Sequence, residues 1–197
     1  MAVGPDITYC RVRITEPASD SWEGRGGGEV GEELILAKDL IGNVLRNHAD
    51  VIEEFPGSDL VGKSYSPLFP GAIDRGSSES AWTVVSADFV TTTDGTGVVH
   101  TAVMYGEDDY RLGMEVGFPA QHTVGMDGSF VSGVHENLDG RYVKDCDDEI
   151  ISLLDARGLL YREHDYTHDY PHCWRTDHPL LYYACLLYTS PSPRDNR

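Results

Sequence analysis

AWTVVSADFVTTTDGTGVVHTA, running from Ala81 to Ala102, is the stretch on which the reading of the fold turns. Its first ten residues are rich in β-branched and aromatic side chains and predict a strand. TTDGTG follows over 92–97 as a turn, and VVHTA over 98–102 predicts a short buried strand. Outward from this pair the same pattern recurs. ITYCRVRI (7–14), EELILAK (32–38) and DVIEEF (50–55) predict strands. DGSFVSG (127–133) and LLYREHDY (159–166) predict two more. Helical spacing is confined to three places. KDLIGNVLRNHA carries Leu40, Ile41, Val44 and Leu45 on one face. GEDDYRLGMEVG and DCDDEIISLLDARG open on acids and stop at Gly117 and Gly158, as helices do. TEPASDSWEGRGGGEVG (15–31) and SYSPLFPGAIDRGSSES (64–80) predict loops. The expected fold class is β-rich α+β, with a closed or nearly closed β-barrel core and helices near 38–47, 107–117 and 145–157 outside it.

The chain has 197 residues and 40% hydrophobic content, enough for one ordinary core. Lys and Arg total 15 against 33 Asp and Glu, a formal charge of −18. Such a chain repels polyanions at long range, which argues against non-specific nucleic-acid binding by the chain alone. Cys10, Cys146, Cys173 and Cys185 form no C-x-x-C pair, which points to a reducing compartment. No basic stretch followed by an apolar run opens the chain, and PLLYYACLLY is about half the roughly 20 residues needed to span a bilayer. A cytoplasmic location without membrane contact is expected.

The chemistry centres on His100. Strand alternation puts it on one face with Val98, and Thr101 on the other with Val99. A lone histidine is often a partly buried group satisfied by backbone, and that reading stands open. Beside it, Gly95 and Gly97 allow close backbone approach, and Glu107, Asp108 and Asp109 crowd a helix start. Helix capping accounts for one or two of these carboxylates. A spare one suits an ammonium group, or works with the histidine in proton transfer or water positioning. A metal held by His100 with Asp108 or Asp109 is the rival, and it lacks an obvious third ligand. A second cluster, His164, His168, His172, Cys173 and His178, could hold zinc, although a polar strand and crossover packed by Tyr166, Tyr170 and Trp174 is the plainer account. No GxGxxG, P-loop, G-x-S-x-G or HExxH occurs.

DGTGVVHTAVMYGEDDYRLGMEVGFP (94–119), FPGSDLVGKSYSPLFP (55–70) and YPHCWRTDHPLLYYA (170–184) resemble isoleucyl-tRNA synthetases, over roughly Ala2 to Ala184. The resemblance is to the editing domain inserted in the catalytic domain of these class I enzymes. It is specific, since the valyl and leucyl enzymes typically lack this histidine and YPHCWR. It implies an editing domain over 1–168, a segment over 169–184 returning toward the catalytic domain, and a tail over 185–197 unlike the family. It implies hydrolysis of valyl-tRNA(Ile), with Asp109 binding the substrate ammonium. His100 would help reject isoleucine and position the terminal adenosine, and Gly95, Thr96 and Gly97 would shape the wall beside the strand. Water is the implied nucleophile, with the substrate's ribose hydroxyl assisting.

The departures matter. The family's threonine-rich TTTPWTLP-type segment is expected just before AVGPDITY, so the chain alone is expected to be inactive. Val103 stands in place of a usual proline, and Thr176 in place of the second cysteine of HCWRC, which leaves no zinc pair here. No HIGH or KMSKS motif occurs, so ATP-dependent activation belongs to the parent enzyme. No cofactor is implied for this segment, with ATP, and zinc as an open option, in the parent. Charged tRNA(Ile) is the implied partner and a monomer the implied state. The alternatives are a free-standing deacylase, a valyl-enzyme editing domain, a metal-dependent hydrolase on the histidine cluster, and a folded but inert piece.

Overall fold

The computed structural model describes residues 1–18, 27–74, 76, 78–163 and 169–185. Six strands are present among them: β1 (Ala2–Val3), β2 (Thr8–Ile14), β3 (Glu33–Ala37), β4 (Ala49–Pro56), β5 (Val85–Ser86) and β6 (Val98–Val99). They form two three-stranded sheets, in the orders β3-β2-β4 and β5-β1-β6. The expected closed or nearly closed β-barrel is therefore not the architecture. The physical reason is ladder length. β1, β5 and β6 contribute two residues each, too few to carry a sheet round to closure. AWTVVSADFV pairs only at Val85–Ser86 and through a single bridge from Thr83 to Ser64. DGSFVSG makes isolated bridges at Ser129 and Phe130 rather than a strand. The strand expected over 159–166 runs into residues outside those described.

The first sheet is an antiparallel meander whose centre is β2. Tyr9 lies between Ala37 of β3 and Phe55 of β4. A register shift against β4 falls between Arg11 and Val12. Period-two alternation sends Cys10 and Val12 to one face, where they bury with Leu36 under Ile41, Val44 and Leu45. Tyr9 faces the other way and buries with Val3, Ala37, Leu40, Phe55 and Leu60. The remaining strand charges pair on the surface, as in Arg13 with Glu33 at 2.6 Å and Lys38 with Glu54 at 2.7 Å. Exposed pairs of this kind contribute about 0–1 kcal/mol each.

The second sheet is mixed. β1 runs parallel to β5 and antiparallel to β6, with Ala2 opposite Val85 and Val99. Its far side is covered by α2 (Glu107–Val116), whose Leu112 joins Ala2, Ala87 and Val90 in a buried cluster. α2 starts with three acids and ends where Gly117, at φ 75°, donates its N–H to Gly113 O. α3 (Asp147–Ala156) starts with Asp147, Asp148 and Glu149 and packs Ile150 and Leu153 on a satellite core of Val134, Leu138 and Cys146. The first expected helix shrinks to a 3₁₀ turn at Lys38–Leu40 and α1 (Ile41–Val44). Gly42 and Asn43 are poor helix formers, and Leu45 is already extended. Among the described residues no helix is long and apolar enough to cross a membrane.

The two sheets are joined through one phenol. Tyr9 Oη, fully buried, accepts the Gly4 N–H at 3.1 Å and donates to Gly97 O at 2.5 Å. A second tie runs from the Ala37 N–H to Thr96 O at 2.9 Å. Tyr9→Phe leaves two buried backbone groups without their partner, so a loss of about 1–3 kcal/mol is expected in urea unfolding. A variant with wild-type stability would show that the phenol is not the joint.

Candidate functional site

Leaving β6 at Val99, the chain passes along a cavity of about 320 Å³. His100, Thr101, Ala102 and Val103 form one side of it. The opposite sides come from the loops that carry Tyr65, Phe69, Trp82, Phe118 and Phe130, with Ile150 of α3. The lining is largely aromatic and aliphatic, with a few polar groups, as in sites for small ligands. The strand ends one residue before His100, so alternation no longer applies. His100 and Thr101 consequently both line the cavity, against the expectation that they face opposite ways.

Asp109 sits in the first turn of α2 and accepts a hydrogen bond from the Ala102 N–H. Gly106 makes room for this, since a Cβ added there would collide with the Asp109 carboxylate. Asp109 does not itself line the cavity; it is anchored behind the His100–Ala102 run that does. Gly95, Thr96 and Gly97 are also off the cavity wall. Gly95 and Gly97 take φ values of 69° and 76°, which glycine tolerates, and the turn spends its carbonyls on Ala37 and Tyr9. These three residues thus set the start of the segment that carries His100.

Most hydroxyls lining the cavity are engaged. Tyr65 Oη accepts from the Met1 ammonium at 3.0 Å. Tyr105 Oη accepts the Thr123 and Val124 N–H groups at 2.7 and 2.9 Å, and the Thr123 hydroxyl lies 3.3 Å from it. Thr101 Oγ1 is different: it is shut from solvent and has no hydrogen-bond partner among the described residues. An unsatisfied buried hydroxyl costs about 1–3 kcal/mol. Behind Tyr105, His122 and Tyr183 stack at 3.9 Å. Sequence reading passed over Tyr105 and this aromatic wall, because their contacts join segments far apart in the chain.

The surroundings push His100 and Asp109 in opposite directions. Burial, then the nearby Met1 ammonium, lowers the His100 imidazole from 6.5, and Asp109 works against that shift. His100 is nonetheless reached by solvent at the cavity mouth, which limits what the shift does to stability. For Asp109, burial raises the carboxyl above 3.8 and Asp108 adds to it, while the Ala102 N–H and His100 oppose. Both shifts favour the uncharged form of the group, as burial dictates.

The described members of the second cluster do not assemble into a metal site. His164 and His168 lie outside the described residues. Cys173 and His178 close a turn through the Cys173 N–H and His178 O at 2.8 Å. The Thr176 hydroxyl, then the Arg175 and Thr176 N–H groups, stabilise the Cys173 thiolate and lower its pKa. Among the described residues no three His, Cys, Asp or Glu side chains come together as a metal site.

The raised Asp109 pKa has a sign that can be checked. The folded chain holds this proton more tightly than the unfolded one, so the group's contribution is fully present below 3.8 and is lost as pH rises through the folded value. Carboxyl-detected NMR titration should put the Asp109 midpoint above 3.8, and Asp108→Asn should bring it down. A midpoint at or below 3.8 would contradict this account of its surroundings.

No known protein-family model matches the chain. Individual relatives do. The chain is 46% identical over 153 residues to the isoleucine–tRNA ligase of Clostridium novyi, covering 78% of this chain. It is 44% identical over 184 residues, 93% of this chain, to that of Bacillus thuringiensis. Against the ligase of Corynebacterium efficiens it is 39% identical over 187 residues. The chain spans only 14 to 17% of the length of these relatives. By sequence it belongs with the isoleucine–tRNA ligases, as a stretch corresponding to a small part of their length.

Proposed function

We propose that this stretch is the editing domain of an isoleucine–tRNA ligase and hydrolyses valyl-tRNA(Ile) within the parent enzyme, in the cytoplasm. The observation that supports the reading is an apolar cavity with His100 on one side, and the Asp109 carboxylate set behind the His100–Ala102 run that forms that side. Editing has a physical rationale: a single methylene changes binding by only about 1–3 kcal/mol, so one pocket cannot reject valine well enough. A second, smaller site must do so.

In this reading the valyl side chain enters between the aromatic walls and its ammonium turns to Asp109. A charge-assisted contact of that kind is strong when water is thin around it. His100, neutral at working pH, lines the mouth, disfavours the longer isoleucyl chain and positions the terminal adenosine. Water adds to the ester carbonyl, and the bond to the ribose oxygen breaks. The residues position and polarise, and no covalent protein intermediate is required. Charged tRNA is the partner, brought by the parent enzyme, which also supplies ATP-dependent activation.

Asp109→Ala in the full-length ligase carrying this segment should abolish deacylation of valyl-tRNA(Ile) and leave isoleucine attachment unchanged. Mischarged tRNA should then accumulate when valine is supplied. Unimpaired deacylation by that variant would remove Asp109 from the site and the editing reading with it.

A further inference from the structure

Resting on the editing reading, we infer that Asp139 is a positioning residue, whose carboxylate locks the 130–141 loop as the cavity wall that sets how long an acyl side chain can enter. The loop supplies Phe130, Val134 and Leu138 to the cavity lining. No strand or helix covers 131–137, so the shape of this wall has to come from other bonds. One carboxylate provides three of them. Asp139 Oδ2 accepts the Gly133 N–H at 2.6 Å, and Oδ1 accepts the Val134 and His135 N–H groups at 3.0 Å each. Val134 is thus held at its own nitrogen and at both neighbours. Asp139 does not line the cavity, so it acts on the site through the backbone of 133–135.

The rest of the loop is closed in the same compact way. The Phe130 N–H donates to Arg141 O at 2.9 Å and the Gly140 N–H to Phe130 O at 2.8 Å, which pinches the neck. The Leu138 and Asp139 N–H groups both reach His135 O at 2.9 Å. Asn137 Nδ2 donates to Glu149 Oε1 at 2.8 Å, which fixes the loop on α3. On the inner side Val134 and Leu138 bury with Cys146, and Phe69, Ala72 and Ile150 pack on them. All of these but Cys146 also line the cavity. The satellite core beside α3 and this wall of the cavity are therefore one packed unit, and the Asp139 carboxylate fixes its backbone.

Size discrimination needs a wall that does not give. The acyl groups to be told apart differ by one methylene, worth only about 1–3 kcal/mol in a pocket. A loop looser by about an ångström would admit the longer chain and erase that difference. A carboxylate suits the task, because its two oxygens accept several N–H groups at once and each bond is charge-assisted. In keeping with this, the Gly133, His135 and Val134 N–H groups, in that order, hold the Asp139 carboxyl below 3.8.

The test is steady-state deacylation of both valyl-tRNA(Ile) and isoleucyl-tRNA(Ile) by the full-length ligase carrying Asp139→Ala, Asp139→Asn or Asp109→Ala, with thermal melting of each. In Asp139→Ala the ratio of isoleucyl to valyl kcat/KM should rise about 10-fold, the low end of what one methylene is worth. Asp139→Asn keeps one carbonyl oxygen for these N–H groups and should give a smaller rise. A residue that only supported the fold would lower the melting temperature and both rates together, and leave the ratio where it was. An unchanged ratio in both Asp139 variants, with Asp109→Ala inactive, would overturn the role of Asp139 alone. Should Asp139→Ala not fold, the ratio in Asp139→Asn decides by itself. Full activity in Asp109→Ala would overturn the editing reading and the role of Asp139 together.

Discussion

The buried Tyr9 phenol is the constraint on which the rest of the structure depends. It stands on the central strand of the larger sheet, and its hydroxyl reaches both the Gly4 N–H just after β1 and Gly97 O just before β6. The smaller sheet has two-residue strands, and a ladder so short is marginal by itself. Tying both sides of it to a seven-residue strand supplies the missing support. The cost of leaving either backbone group unpaired in that core makes the arrangement specific.

From that joint the site follows by short steps of covalent geometry. Gly97 is bonded to the phenol, β6 is the next two residues, and His100 follows at once. The position of His100 is therefore inherited from Tyr9, some ninety residues earlier in the chain. Asp109 is set independently, by α2 packing Leu112 on the same sheet and by a glycine at 106 that lets the carboxylate fold back. The two side chains come near enough to influence each other's charge because the sheet that carries the first also packs the helix that holds the second. Sites built this way tolerate long surface loops, since the fixed elements are few and close together.

Much of this was legible in the residues. The turn at Asp94–Gly97, both acidic helix starts with their glycine stops, and the three long strands were readable because each rests on local chemistry: φ > 0 at glycine, dipole compensation, period-two burial. The barrel was not, and the error came from reading AWTVVSADFV as a strand. Its composition fits a pleated surface, but Trp82 takes φ 57° and only Val85 and Ser86 find ladder partners. β propensity says that a segment can pair, and pairing also requires a neighbour in register. Thr101 was assigned to the wrong side for the same reason. Alternation holds only while the ladder lasts, and it ends at Val99.

The electrostatics of the cavity favour one division of labour between the two titrating groups. Burial penalises charge on either side chain, so a site with both fully ionised is the costlier one. Burial lowers the pKa of the His100 imidazole and raises that of the Asp109 carboxyl, and the Ala102 N–H opposes the second shift. Both shifts run toward the uncharged form of the group. On the proposed editing reading, a cationic substrate group is drawn to the Asp109 side of the His100–Ala102 run, while His100 stands on the cavity side. On that reading, two roles are separated across three residues of backbone: one group to hold the substrate and another to order the water that attacks it.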